Sequence, residues 1–152
     1  METTEKSIDV LNDLIEINND RVAGFKKASK DLEEGDFELR GIFEQFAEES
    51  RENSAELSSL VNQVGGDAET GTSGTGAIHR AWLDVKATFT GHDRKSILEE
   101  CERGEDAIKK AYQTALDPEH HLSYEISEII RQQQQGIIAA HDQIKALRDS
   151  LA

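Results

Sequence analysis

Three acids crowd a glycine in the run Cys101-Glu-Arg-Gly-Glu-Asp106, inside the otherwise helical stretch ILEECERGEDAIKKAYQTAL. Carboxylates are the hard anionic ligands that divalent metals take, so the run raises the question of a metal site. Helical periodicity separates them. On the apolar stripe Leu98, Cys101, Glu105, Ile108, Tyr112, Ala115, Glu105 points inward, Glu102 lies at the shoulder and Asp106 further out. Glu49, Glu52 and Glu16 flank the stripes of their own helices in the same way. Turned inward, Glu49 and Glu102 would join Glu105 in a carboxylate site for iron, manganese or zinc. The reading preferred is that they are solvated shoulders, that Glu105 is buried without a metal, and that the chain has no resident cofactor. With amide partners a protonated Glu105 would tolerate Gln, whereas Leu would cost about 1–3 kcal/mol by stranding those partners.

The histidines carry less. His141 sits one position from the inner residue Ala140 and is expected to pair with Asp142. His120 and His121 are adjacent on the first turn of a helix, diverge, and read as surface. Cys101 lies among apolar neighbours and reads as a small core residue, not a nucleophile. The segment GTSGTG lacks the Gly-Lys-Ser/Thr ending that makes a phosphate loop and reads as a connection. Beyond it, His79, Arg80 and Trp82 fall on a short helix that Trp82 plugs onto the remainder of the fold. No residue is assigned a catalytic role.

The elements that must position these residues follow from the apolar spacing. The first helix is predicted over about 7–30, with Ile8, Leu11, Ile15, Val22 and Phe25 on one face. Gly35-Asp36 breaks it, and Asp36 caps a second helix carrying Leu39, Phe43, Phe46, Leu57, Leu60 and Val64, which stops at Gly65-Gly66. The Gly/Ser/Thr-rich loop follows, then a short helix over about 78–89. Asp93 opens the third long helix, and Asp117-Pro118 ends it and starts the fourth, with Ile126, Ile130, Gln133, Ile137, Ala140, Ile144 and Leu147 inside. The expectation is an all-α four-helix bundle over 1–152, a single domain. It has two antiparallel hairpins and a long crossover containing the short extra helix.

Each inner stripe is interrupted by polar residues near mid-helix: Asn18, then Ser50 and Asn53, then Glu105, then Gln133. They should meet at one level and bond to one another or to water, because an unpartnered buried polar group costs about 1–3 kcal/mol. Gly104 and Gly136 lie beside that level and would allow close approach of helices three and four or room for water.

The helix order and mid-helix polar layer resemble the ferritin-like superfamily. IHRAW at Ile78–Trp82, CERGEDAIKKAY at Cys101–Tyr112 and HDQIKALRD at His141–Asp149 are similar to a small bacterial branch of it, a four-helix-bundle domain of unknown function. Metal-oxidising members place a Glu on two helices and Glu-x-x-His on the other two. Carried onto this chain, those positions fall on Asn18, on Ser50 and Asn53, on Glu105, and on Gln133 with Gly136. What the resemblance implies is the fold with a degenerate metal site.

Composition narrows the partners. The chain has 152 residues, 17 basic against 31 acidic, for a net charge of −14, which disfavours nucleic acid and anionic membranes. The polar start METTEKS and the single cysteine fit a cytoplasmic protein. Leu14, Ile17, Ile129 and Ile138, left over from the stripes, leave room for a homodimer; the protein partner is unnamed by the sequence. The function expected is that of a non-catalytic bundle acting through binding or stress-associated interactions. The alternative is a metalloprotein using Glu49, Glu102 and Glu105.

Overall fold

The computed structural model describes residues 2–32, 36–68 and 94–150. Among them are four long helices, α1 (Glu2–Asp31), α2 (Phe37–Gln63), α3 (Arg94–Ala115) and α4 (Tyr124–Asp149), one 3₁₀ turn (Pro118–His120) and no strand. The short helix expected over about 78–89, with His79, Arg80, Trp82 and the GTSGTG segment, lies outside the described residues.

Local chemistry sets the ends. The Asp36 side chain accepts the Leu39 amide at the start of α2. At its other end Gly65 adopts φ 84, the Gly65 amide donates to Asn62 and the Gly66 amide to Val61, which together satisfy the last carbonyls. A Cβ on Gly66 would lie 2.9 Å from the Ile8 side chain, so any larger residue there would have to displace Ile8 of α1. The start of the fourth helix differs from the sequence expectation. Pro118 opens only the 3₁₀ turn, closed by His121 in the left-handed region at φ 51. A residue there cannot continue a right-handed helix, so α4 begins afresh, with Ser123 accepting the Ile126 amide. His120 and His121 therefore belong to the linker, where His120 Nδ1 lies 3.2 Å from the Ala115 carbonyl.

Partners across the helices give the topology. Phe25 meets Phe43, Arg21 meets Glu49 and Asn12 meets Asp67, so α1 and α2 run antiparallel. Asp106 meets His141 and Tyr112 meets Gln133, which makes α3 and α4 a second antiparallel hairpin. Arg21 to Glu105 and Asn18 to Tyr112 set α3 antiparallel to α1, and hence parallel to α2. Arg94, at the start of α3, accordingly pairs with Glu38 and Asp36 at the start of α2. The chain between Gln63 and Arg94 thus joins opposite ends of the bundle, the single long crossover of this architecture.

The apolar core comes in two halves. One gathers Leu11, Leu14, Leu57, Tyr112 and Ile130 with their neighbours; the other gathers Phe25, Phe43, Leu98, Cys101 and Ile144. Leu14 and Ile17, expected as surplus for a homodimer, are 1% and 6% exposed and belong to the first half. The buried face of α1 is wide because it packs against both α2 and α3. Ile129 and Ile138 stay partly exposed. Val61 rather than Val64 provides the fully buried valine of α2. Cys101 is fully buried, and burial pushes its thiol well above the ordinary range, so it is inert core. Among the described residues no helix is long and apolar enough to cross a membrane.

Candidate functional site at the centre of the bundle

Between the two apolar halves lies a polar layer. Asn18, Ser50 and Glu105 are fully buried, Gln133 is 6% and Asn53 9% exposed. At its heart stands Arg21, also without exposure, a residue absent from the candidates that the sequence offers. The signal was present: position 21 falls three residues after Asn18 and four before Phe25, on the inner stripe of α1. Apolar spacing alone runs the stripe through Val22, because an arginine at that spacing commonly bends outward to water.

The guanidinium is used on every side. Its Nε donates to Glu105 Oε1 at 2.7 Å and Nη2 to Glu105 Oε2 at 3.1 Å, a bidentate pair. Nη1 donates to Glu49 Oε1 at 2.9 Å and Ser50 Oγ at 2.9 Å, with the Phe46 carbonyl at 3.4 Å. Its carbon lies 5.2 Å from the Phe25 ring centre and 5.6 Å from that of Phe46. The partner of Glu105 is therefore Arg21, and not some of Asn18, Ser50, Asn53 and Gln133 as the polar positions of the sequence lead one to expect. A carboxylate in this layer needs a cation more than an amide, since burial penalises its charge. Burial pushes the Glu105 carboxyl above its ordinary value, and the Arg21 charge opposes that shift.

The amides form a second strand of the network. Asn18 Oδ1 accepts from Ser50 Oγ at 2.9 Å and Asn53 Nδ2 at 3.3 Å. Its Nδ2 donates to the Leu14 carbonyl and to Tyr112 Oη, both at 2.8 Å. Tyr112 then donates to Gln133 Oε1 at 2.7 Å, and Gln133 Nε2 donates to Glu56 at 2.8 Å. Ser50 joins the two strands by accepting from Arg21 and donating to Asn18. Burial pushes the Tyr112 phenol well above its ordinary range, so it stays protonated as donor to Gln133. Tyr112→Phe should cost about 1–3 kcal/mol in urea denaturation, because Asn18 and Gln133 each lose a partner they cannot replace from water. A loss below a few tenths would show that the network is dispensable.

The remaining sequence candidates sit elsewhere. Glu49 and Glu105 meet at Arg21, whereas Glu102 hydrogen-bonds Arg148 on α4. His141 contacts Asp142, as expected, and also Asp106 across the hairpin. Gly136 faces α2: a Cβ there would be 3.6 Å from the Glu49 carboxyl, ordinary contact, so the glycine borders Glu49 instead of admitting α3.

Residues 6–118 match the family described as Domain of unknown function (DUF2383). No curated protein matches. Among solved structures, a ferritin-like, diiron-carboxylate protein from Bacillus anthracis str. Ames superposes with a TM-score of 0.71 at 14% identity, over 100% of this chain and 99% of that one. Dps from Staphylococcus aureus superposes with a TM-score of 0.61 at 18% identity, over 89% of this chain and 94% of that one. At these identities the likeness is one of fold: a ferritin-like four-helix bundle.

Proposed function

The chain belongs to the family described as Domain of unknown function (DUF2383), and from that premise we propose that it is a non-catalytic ferritin-like bundle. It acts through binding or stress-associated contacts of its surface, its central metal site replaced by an arginine–carboxylate network. The observation that carries this reading is Arg21. A diiron centre of the kind named for the Bacillus anthracis protein needs several free anionic oxygens around two divalent ions. Here both oxygens of Glu105 and one of Glu49 already engage a fixed monocation. The other members of the layer, Asn18, Ser50, Asn53, Tyr112 and Gln133, are neutral, and none is a histidine. These residues do not fit a di-metal centre. They fit a cross-brace that ties all four helices at mid-height, leaving the acidic exterior to meet partners.

Aerobic Fe(II) oxidation by the purified chain should run no faster than in buffer, and the protein purified without added metal should not carry two iron or manganese ions. Two ions per chain that disappear in Glu105→Gln would overturn the reading.

A further inference from the structure

The α3–α4 hairpin holds a polar cluster apart from the central network. Glu102 and Asp106 lie one helical turn apart on α3 and face His141 on α4, with one donor atom of each within 4.8 Å of the others. The His141 side chain is 10% exposed and that of Glu102 13%. His141 Nε2 stands 2.5 Å from Asp106 Oδ1, and its Nδ1 stands 3.2 Å from Asp142 Oδ1. A neutral imidazole has one N–H and one lone pair. A carboxylate oxygen opposite each nitrogen therefore requires a further cation, a proton or a metal ion, on one side of the ring.

We propose that Glu102, Asp106 and His141 bind one divalent transition-metal ion of the zinc type. In that arrangement Nε2 is the ligand and Asp142 accepts Nδ1–H. The third donor favours a metal over a proton: a proton joins only His141 to Asp106, whereas Glu102 completes a set of three. One imidazole and two carboxylates with a place left for water is a donor set zinc accepts, and the outer carboxylate on the far ring nitrogen is the usual orienting partner. Zinc bonds of about 2.0–2.2 Å put neighbouring donors about 3.4 Å apart in a tetrahedron, so the cluster adjusts by about 1–1.5 Å. Asp106, with a side chain 62% exposed, is free to make that adjustment. Arg148 now hydrogen-bonds Glu102 and also reaches Asp149 at 3.0 Å. It is the built-in competitor, because turning wholly to Asp149 releases Glu102 to the ion. Glu105, one residue before Asp106, is committed to Arg21 and takes no part.

The test is a calorimetric zinc titration of the metal-free full-length chain, with thermal unfolding recorded alongside. One saturable equivalent is expected, raising Tm. His141→Ala and Asp106→Asn should each lose that equivalent; the second variant changes an exposed side chain and guards against a folding defect in the first. Asp142→Asn should weaken binding about ten- to a hundredfold, and Arg148→Ala should tighten it. Absence of saturable binding would overturn the proposal. So would an unchanged zinc count in both His141→Ala and Asp106→Asn, which would assign the ion to the acidic exterior at large. Either failure leaves the reading of the centre intact, since that rests on Arg21 and is tested at Glu105.

Discussion

Replacing Arg21 with methionine is expected to destabilise the fold by about 3–5 kcal/mol at pH 7, the cost of leaving a buried carboxylate without its cation. Methionine fills much of the same volume and keeps contact with Phe25 and Phe46, so the loss reports charge and hydrogen bonding more than a cavity. The deficit should depend on pH. Burial already pushes Glu105 above its ordinary 4.5, and Arg21 restrains that shift; without Arg21 the folded-state value climbs further. A carboxyl whose folded value is raised contributes stability below its unfolded value, and that contribution is lost as pH rises through the folded one. The variant should thus approach wild type near pH 4.5 and fall away from it towards neutrality. Urea denaturation of both proteins across that range measures it. A deficit that stays constant with pH would show that Glu105 is not the group left stranded.

The second large effect is expected from Glu105→Leu, at about 3 kcal/mol, with the double variant Arg21→Met/Glu105→Leu losing less than either single change. Leucine takes the bidentate partner from a fully buried guanidinium, which cannot shed its proton and keeps Glu49, Ser50, the Phe46 carbonyl and the Phe25 and Phe46 rings. The sequence-based figure of about 1–3 kcal/mol supposed stranded amides, and the structure replaces those with a stranded cation. Glu105→Gln is likewise no longer expected to be neutral, since it removes the charge facing Arg21. In the double variant both members of the pair are gone, and Glu49, whose side chain is 32% exposed, can turn to water. Additive losses in this cycle would mean that the two residues act separately and that the pair is not the organising contact of the layer.

Much of the scaffold was legible along the chain. The inner stripes of α2, α3 and α4, the Asp36 cap and the glycine stop at Gly65-Gly66 all follow from interactions within a few residues, which periodicity and capping rules capture. The mid-helix positions Asn18, Ser50, Asn53, Glu105 and Gln133 stood out because each breaks an apolar stripe. The linker before α4 was not legible. Asp117-Pro118 is a sound helix start, and only the left-handed backbone of His121 shows that the turn closes and the helix begins again at Tyr124.

What the sequence by itself determined is which face of each helix turns inward and where that face becomes polar, since both depend on residue spacing along one helix. Only the tertiary structure decided who pairs with whom. Arg21 reaches Glu105 across 84 residues of chain, and His141 reaches Asp106 across 35, through contacts set by the rotation and axial offset of helices packed together. An arginine on an inner stripe has a stem long enough to carry its charge out to water or to hold it within. Packing turned Arg21 inward between Phe25, Phe46 and two carboxylates, and with that choice the centre of the bundle became a brace.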